Sequence, residues 1–575
     1  MERIIPVNEG AEAFIELLNA NGVDYIFLNP GTDTYPVQEA LSKFKALGRQ
    51  APEVILCLHE SMAMAAAHGH FMVSRKPQVV LVHVDVGTQQ VGGALHNAQR
   101  GRIGVILCAG RMPTNIEGGK RMGRTHFVQW LQEHRDQAGA ARGYVKWDYE
   151  LRTNENIPYV VQRAFQIASH EPCGPVYLTV PVDILSEKIE SVRIPDIARH
   201  SAAATPEADT AMLEKAATLL LAAENPLVIT GYSGRHHESV ASLVALAETI
   251  GARVITTQIY MNFPTTHPLY AGTESSPYIK DADVILVIDH DAPYIPDRAK
   301  PRPEAKIVYL DIDTAKLHLP MWGFPADIII QCDSGKTLPV LSRMIRRELT
   351  NEQQDIIQAR SRRLQSEHQQ YGDEQRHLVP SMATQKPIST EWLCHCVAEA
   401  IDDETIVLME PMNDNSPILR RIPRTRPGTF FQSGGASLGW GLGAALGAKL
   451  ASPEKTVVAV MGDGSFVFGC PTAALWAAGA YHAPFLSVIL NNQQYSAPKR
   501  AIRRAYGGES YSEKTGKWVG IDIVPSPNYA IIAQACHAYG QVVAEPADIQ
   551  PALKEALAQV RSGRPAVLDV RIERT

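Results

Sequence analysis

Short, uniformly apolar runs recur along the chain, each followed by a stretch whose apolar positions repeat with helical spacing. In the first third these runs fall at residues 26–28, 54–58, 79–84, 104–108 and 176–180. Apolar strands without polar alternation, separated by helices, predict a mainly parallel sheet covered on both faces. The pattern then repeats. Residues 227–230, 252–257, 284–288, 307–310 and 328–330 form a second set. A third set comprises residues 405–410, the run ending at Met461, the run ending before Asn491, and residues 566–572. The predicted fold class is α/β, with three successive parallel-sheet α/β domains at residues 1–190, 206–340 and 386–575. Residues 195–206, polar and rich in Ala, Pro and Glu, read as a linker. Residues 341–385 are strongly charged and read as an exposed helical connection into the third domain.

Bulk properties narrow the function classes. A chain of 575 residues exceeds what one hydrophobic core organises, in keeping with several domains. Its net charge of -6 and lack of a basic tail argue against nucleic acid as the main partner. The eight cysteines are scattered, several in apolar runs, and read as reduced and buried. Cys394-His395-Cys396 lies in a helical pattern, where neighbouring residues do not share a face, so no metal site is expected there. The opening MERIIPVNEGAEAF lacks the charge and apolar pattern of a leader, and no apolar run reaches the roughly twenty residues that span a bilayer. A cytoplasmic protein without membrane contact is the expectation.

Chemistry gathers at the ends of the apolar runs. Met461-Gly462-Asp463-Gly464-Ser465 and Asn491-Asn492 bring a carboxylate and an amide to two neighbouring strand ends, the edge where open parallel sheets hold ligands. Hard oxygen donors beside glycines suit Mg²⁺ clasping a diphosphate. Glu60 leaves a strand and heads an apolar helix; read alone, it is as well explained as a first-turn carboxylate. His83 reads equally as a core or a functional histidine, and His59, His68, His70, His83 and His96 share no ligand spacing. Gln132 and His134, in a segment rich in charge and aromatics, are further candidates for a pocket wall. Gly231, Ser233 and Gly234 follow a strand and could receive a phosphate, without forming a dinucleotide fingerprint. Lys499, Arg500, Arg503 and Arg504 read as charged helix surface or as a receiver for an anionic substrate.

The GDG segment, the NN pair that follows it, and NPGTD, LHE and VHVDVGTQQVGGALHNA in the first third together resemble the thiamine-diphosphate enzymes. The resemblance is to the family that includes acetolactate synthase, pyruvate decarboxylase and benzoylformate decarboxylase. It implies pyrimidine-binding, central and pyrophosphate-binding domains in that order. It also implies thiamine diphosphate and Mg²⁺ as cofactors; FAD in the central domain is compatible but not favoured. Glu60 would hydrogen-bond the aminopyrimidine, the Ala436 carbonyl would receive its amino group, and Leu438 would prop the cofactor in a bent shape. Asp463, Asn492 and the carbonyl of Gln494 would hold the metal. Pro30, Gly31, Gln90, Asn413, Gly462, Gly464 and Ser465 complete the implied cofactor set, while Asn491 would brace the turn. Thr32, His83, His290, Trp440 and Tyr495 are the implied substrate-facing candidates, with His290 nearest to the second histidine of benzoylformate decarboxylase. Glu60 and His83 would be catalytic. The implied function is decarboxylation or lysis of a carbon–carbon bond in a small 2-oxo acid, with carboligation open. An acetolactate-synthase-like carboligase, a 2-hydroxyacyl-CoA lyase and a catalytically silent scaffold subunit are the alternatives. A homodimer, or a dimer of dimers, with the active site at the subunit interface is implied.

Overall fold

The computed structural model describes residues 2–118, 122–257, 259–410 and 416–574. Its strands, in chain order, are β1 (Arg3–Pro6), β2 (Tyr25–Leu28), β3 (Glu53–Leu56), β4 (Gln78–Val82), β5 (Val105–Arg111), β6 (Asp148–Glu150), β7 (Val176–Pro181) and β8 (Ser191–Ile194) in the first domain. The central domain contributes β9 (Pro226–Thr230), β10 (Arg253–Thr256), β11 (Val284–Ile288), β12 (Lys306–Asp311) and β13 (Ile328–Gln331). The last domain adds β14 (Ile406–Met409), β15 (Phe430–Gln432), β16 (Val457–Gly462), β17 (Leu486–Asn491), β18 (Tyr539–Val543) and β19 (Ala566–Arg571).

All three main sheets are parallel, as the uniformly apolar runs predict. The first is ordered β3-β2-β4-β5-β7-β6 and the third β15-β14-β16-β17-β19-β18, the same order when strands are counted within each domain. In both, the chain lays its second strand on one side of the first and its third on the other. The order therefore reverses between β2 and β4, and again between β14 and β16, which opens a crevice at their carboxyl ends. Asn29 to Gly31 and His83 leave one crevice; Glu410 and Asp463 leave the other.

The first and third domains meet through two helices, Glu60–Ser74 and Trp440–Ala451. Both are dominated by Ala and Gly on the contact face, and their backbones nearly touch. A Cβ on Gly447 would overlap the Ala66 carbonyl, and one on Gly69 would overlap that of Ala444. The central domain is pinned to the first by a buried ionic cluster. Arg102 reaches Asp291 at 3.1 Å and Asp311 at 3.3 Å, Lys316 bonds the same two carboxylates at 2.8 and 2.6 Å, and the Tyr232 ring lies under Arg102.

Residues 341–385 are more than a connection. After the Ser334–Glu348 helix, Thr350 and Gln353 form a capping box that starts a 32-residue helix, Asn351–Met382. Arg360 in that helix donates to the carbonyls of Ala223, Glu224, Ile250 and Gly251, which ties it to the central domain. The short edge strands β6 and β18 and the antiparallel pair β1–β8 were not expected, because they are partly exposed and lack an apolar run. Among the described residues, no helix is long and apolar enough to cross a membrane.

His68 lies inside the helix crossing, fully buried, edge-on to Trp440 at 5.4 Å, and neither ring nitrogen has a partner among the described residues. Burial pushes its pKa down to about 3. As the pH falls, the unfolded chain binds this proton near the ordinary value of about 6.5, while the native state refuses it until about 3. Stability is therefore lost as pH falls through that window, by about 2 kcal/mol at pH 5. Unfolding measured at pH 7 and pH 5 should show the loss shrinking by that amount in His68→Leu. An unchanged pH dependence would contradict a buried neutral ring.

Candidate functional site

Asp463 is the first residue of the Asp463–Phe468 helix, directly after β16, and is 2% exposed. Its Oδ1 accepts from the Gly464 amide at 3.0 Å, and its Oδ2 is buried with no partner among the described residues. Burial raises its pKa to about 6, against the lowering effect of the Gly464 and Gln493 amides. A carboxylate oxygen left in this state is costly, and a cation would satisfy it. Asn492 stands opposite at the end of β17: its Oδ1 accepts from the Gln494 amide at 3.2 Å and its Nδ2 donates to Ser496 Oγ at 2.9 Å. Gln493 turns the chain with φ 57, and Asn491 braces that turn by donating to Asp569 at 2.7 Å. Asp463, Asn492 and the carbonyl of the 4% exposed Gln494 are hard oxygen donors that fit Mg²⁺. Beside them Gly462 is open, since a Cβ there would meet nothing within 4 Å, leaving room for an anion against the backbone. The Tyr495 ring packs on Gly464 and covers this loop, and Ser465 is buried beneath it.

The neighbouring strand end holds a residue the sequence reading missed. Glu410 is 1% exposed and accepts from the Gly439 and Gly441 amides at 2.6 and 2.9 Å, so it caps the Trp440–Ala451 helix; burial raises its pKa. The turn before that helix is fixed from the other side. Asn97 of the first domain exchanges two hydrogen bonds with the Ser437 backbone, each 2.9 Å, and His96 Nε2 meets the Gly435 carbonyl at 3.2 Å. Held in this way, Ala436 has φ 57 and is exposed, and Leu438 is half-buried. Trp440 points away, into the helix crossing, where it is core rather than a substrate contact. Asn413 lies outside the described residues.

In the first domain, Glu60 opens its helix half-buried, with Oε1 3.4 Å from where a Cβ on Gly87 would stand. Ser61 beside it bonds the Cys470 thiol, whose pKa burial raises and the Glu60 charge raises further. Pro30, Thr32 and Gln90 are exposed around the same crevice. His83 follows β4, and its Nδ1 bonds the Asp33 carboxylate, which also accepts from the Val84 amide at 3.1 Å. His83 Nε2 meets Gln132 Oε1 at 3.3 Å. The Asp33 bond raises the His83 pKa above the ordinary histidine value, against burial. His134 is exposed and only closes a local turn to the Asp136 amide.

His290 lies just past the end of β11. It is buried in the central domain with Nε2 2.9 Å from Thr257 Oγ1, and burial lowers its pKa to about 4. The nearby Gly231, Ser233 and Gly234 are occupied internally: Asn262 accepts from the Gly234 amide at 2.8 Å and donates to the Gly231 carbonyl at 3.0 Å. The basic residues 499–504 lie on the exposed Ser496–Tyr506 helix, where Arg503 pairs with Glu513 at 2.9 Å and Lys499 stands over Trp518.

Models of the three domains of one enzyme family match the chain. The N-terminal TPP binding domain of the thiamine pyrophosphate enzymes matches residues 8–140, their central domain 213–341, and their C-terminal TPP binding domain 416–570. The chain belongs to the thiamine pyrophosphate enzymes. This enzyme is 26% identical to the acetolactate synthase isozyme 3 large subunit of Escherichia coli over 584 residues, covering 98% of this chain and 95% of that one. It is 26% identical to benzoylformate decarboxylase of Pseudomonas aeruginosa over 574 residues, covering 97% and 98% of the two chains. Its fold is similar to that of a thiamine diphosphate-dependent 4-hydroxybenzoylformate decarboxylase of Rhodococcus jostii RHA1, with a TM-score of 0.79, 23% identity and 99% of both chains covered. As a thiamine pyrophosphate enzyme it takes thiamine diphosphate and Mg²⁺, and the unpartnered oxygen of Asp463 beside the open backbone of Gly462 fits that pair.

Bound at about one hundred times its dissociation constant, a ligand stabilises the native state by about 2.7 kcal/mol. Thermal unfolding of the wild type should rise accordingly with Mg²⁺ and thiamine diphosphate, and that of Asp463→Ala should not. An equal rise in both would remove Asp463 from the metal site.

Proposed function

We infer that this enzyme is a carbon–carbon lyase that decarboxylates a small 2-oxo acid. The observation that supports this reading best is His83, held by Asp33 at the strand-order reversal of the first domain with its second nitrogen turned to Gln132. When bound, thiamine diphosphate supplies a carbon nucleophile and takes up the electron pair left as CO₂ departs. Glu60 would hold a proton against the aminopyrimidine ring, the Ala436 carbonyl would receive its amino group, and Leu438 would support it from below. Asp463, Asn492 and the Gln494 carbonyl would hold the metal that the diphosphate needs. His83 gives a proton to the oxygen that develops charge on the substrate, and Thr32 offers a hydroxyl to the substrate carboxylate.

The exposed Ala436 and half-buried Leu438 imply that one chain does not close the site. The active unit is a dimer, or a dimer of dimers, in which Glu60 of one chain faces Ala436, Leu438 and Asp463 of another. Once reprotonated from water, His83 can pass a proton to the carbon that CO₂ leaves, which favours release of an aldehyde over ligation because it removes the electron pair before a second carbonyl compound arrives. The acetolactate synthases among the relatives keep carboligation as the second reading, and the basic Ser496–Tyr506 helix keeps a CoA thioester as the third. Retention of Glu60, Asp463 and Asn492 together argues against a silent scaffold.

The test is CO₂ release from pyruvate, benzoylformate and longer 2-oxo acids, with and without an acceptor aldehyde, alongside a 2-hydroxyacyl-CoA cleavage assay. Decarboxylation without an acceptor is expected. Product formed only with the acceptor, or only from the thioester, would replace this reading. In Glu60→Gln the rate should fall at least ~100-fold with the unfolding temperature unchanged; wild-type turnover would remove Glu60 from catalysis.

A further inference from the structure

Asp33 closes the NPGTD segment but has been given no role so far, yet it is among the most constrained side chains near the site. It follows Thr32 in the loop after β2 and is 1% exposed. Its carboxylate fills the space over Gly110 of β5, where any Cβ would overlap it. The His83 side chain in turn packs against Gly31, so a Cβ there would collide with the imidazole. Two glycines from different elements thus leave room for one carboxylate and one imidazole in a single arrangement. Asp33 Oδ1 takes the Nδ1 proton of His83, Asp33 Oδ2 takes the Val84 amide proton at 3.1 Å, and the Val84 backbone is bent to φ 28 to make this fit.

We propose that Asp33 is the positioning residue that fixes His83 in one orientation with Nδ1–H engaged and Nε2–H directed at the reacting centre, making His83 a proton donor and not a base. This rests on the assignment of His83 to a 2-oxo acid lyase site. Both ring nitrogens face oxygen acceptors, Asp33 on one side and Gln132 Oε1 at 3.3 Å on the other, which is the environment of an imidazolium. Among the described residues, the charged groups that act on the ring are Asp33, from the loop after β2, and Asp85, from the first turn of the Val84–Gln90 helix; both are acidic and both raise its pKa. In the step, the Nε2–H bond breaks and its proton passes to the developing oxyanion of the substrate. Nδ1–H stays on Asp33, His83 is left as the neutral Nδ1–H tautomer, and water restores the proton through the 17% of the side chain that is exposed. The same charge favours an anionic 2-oxo acid over a neutral carbonyl compound in the first binding event.

Holoenzyme labelled with ¹⁵N-histidine tests this directly, with the His83 ring signals assigned by their loss in His83→Gln. In the wild type both ring nitrogens should be protonated at neutral pH. In Asp33→Asn the titration midpoint should fall by about one pH unit or more. Because a raised pKa keeps the donor charged to higher pH, the alkaline limb of kcat/KM for 2-oxo acid decarboxylation should move down by the same amount. Gln132→Leu, which leaves the Asp33 bond intact, should move the midpoint less. A bare Nδ1 in the wild type, or an unmoved midpoint in Asp33→Asn, would overturn the proposal. Should Asp33→Asn fail to fold, the wild-type tautomer and Gln132→Leu still decide it. If no 2-oxo acid is turned over, the lyase reading fails, while the titration reports on Asp33 independently.

Discussion

Backbone contact between the Glu60–Ser74 and Trp440–Ala451 helices sets the geometry on which the rest of the molecule depends. At Gly69, Gly443 and Gly447 there is no space even for a methyl group, so the two helices have one way to lie together. Their amino ends carry two parts of the proposed site, Glu60 on the first domain and the Ala436–Leu438 turn on the third, each of which would face the complementary part of another chain. The turn is not left to its own flexibility. Glu410 caps the helix beneath it and Asn97 reaches across from the first domain to grip Ser437. An interface of small residues thus converts close packing into positional precision at the site.

Three buried carboxylates at strand ends show how one sheet topology supports different chemistry. Glu410 is satisfied by helix amides and is structural in effect. Asp33 is satisfied by an imidazole and a backbone amide, and fixes the His83 ring. Asp463 retains an unsatisfied oxygen, the mark of a position that waits for a cation. Their differing partners, not their burial, separate the three roles.

The three parallel sheets were legible because a strand covered on both faces must be apolar throughout, and such runs stand out from the helices between them. Half-exposed β6, β18 and the β1–β8 pair carry no such signature. At the candidate site, Asp463 and the asparagine pair stood out as candidates because each ends an apolar run. Asp33 and His83 are 50 residues apart, and Asn97 and Ser437 are 340 apart, so only the folded chain shows that they touch. Glu410 gave one faint signal, an acid ending an apolar run. Trp440 misled in the other direction: a bulky ring at a family position suggested substrate, and packing against His68 has claimed it. His290 was a candidate by resemblance alone, and in the folded chain it is buried beside Thr257.

In the proposed site Glu60 and Asp463 would serve one cofactor from two chains. Differently tagged Glu60→Gln and Asp463→Ala chains, each inactive as a homomer, can be refolded together and the hybrid isolated by both tags. A site shared between chains leaves one intact pair in the hybrid, so decarboxylation should return. A hybrid as inactive as its parents would place both residues of each site on a single chain and contradict the account.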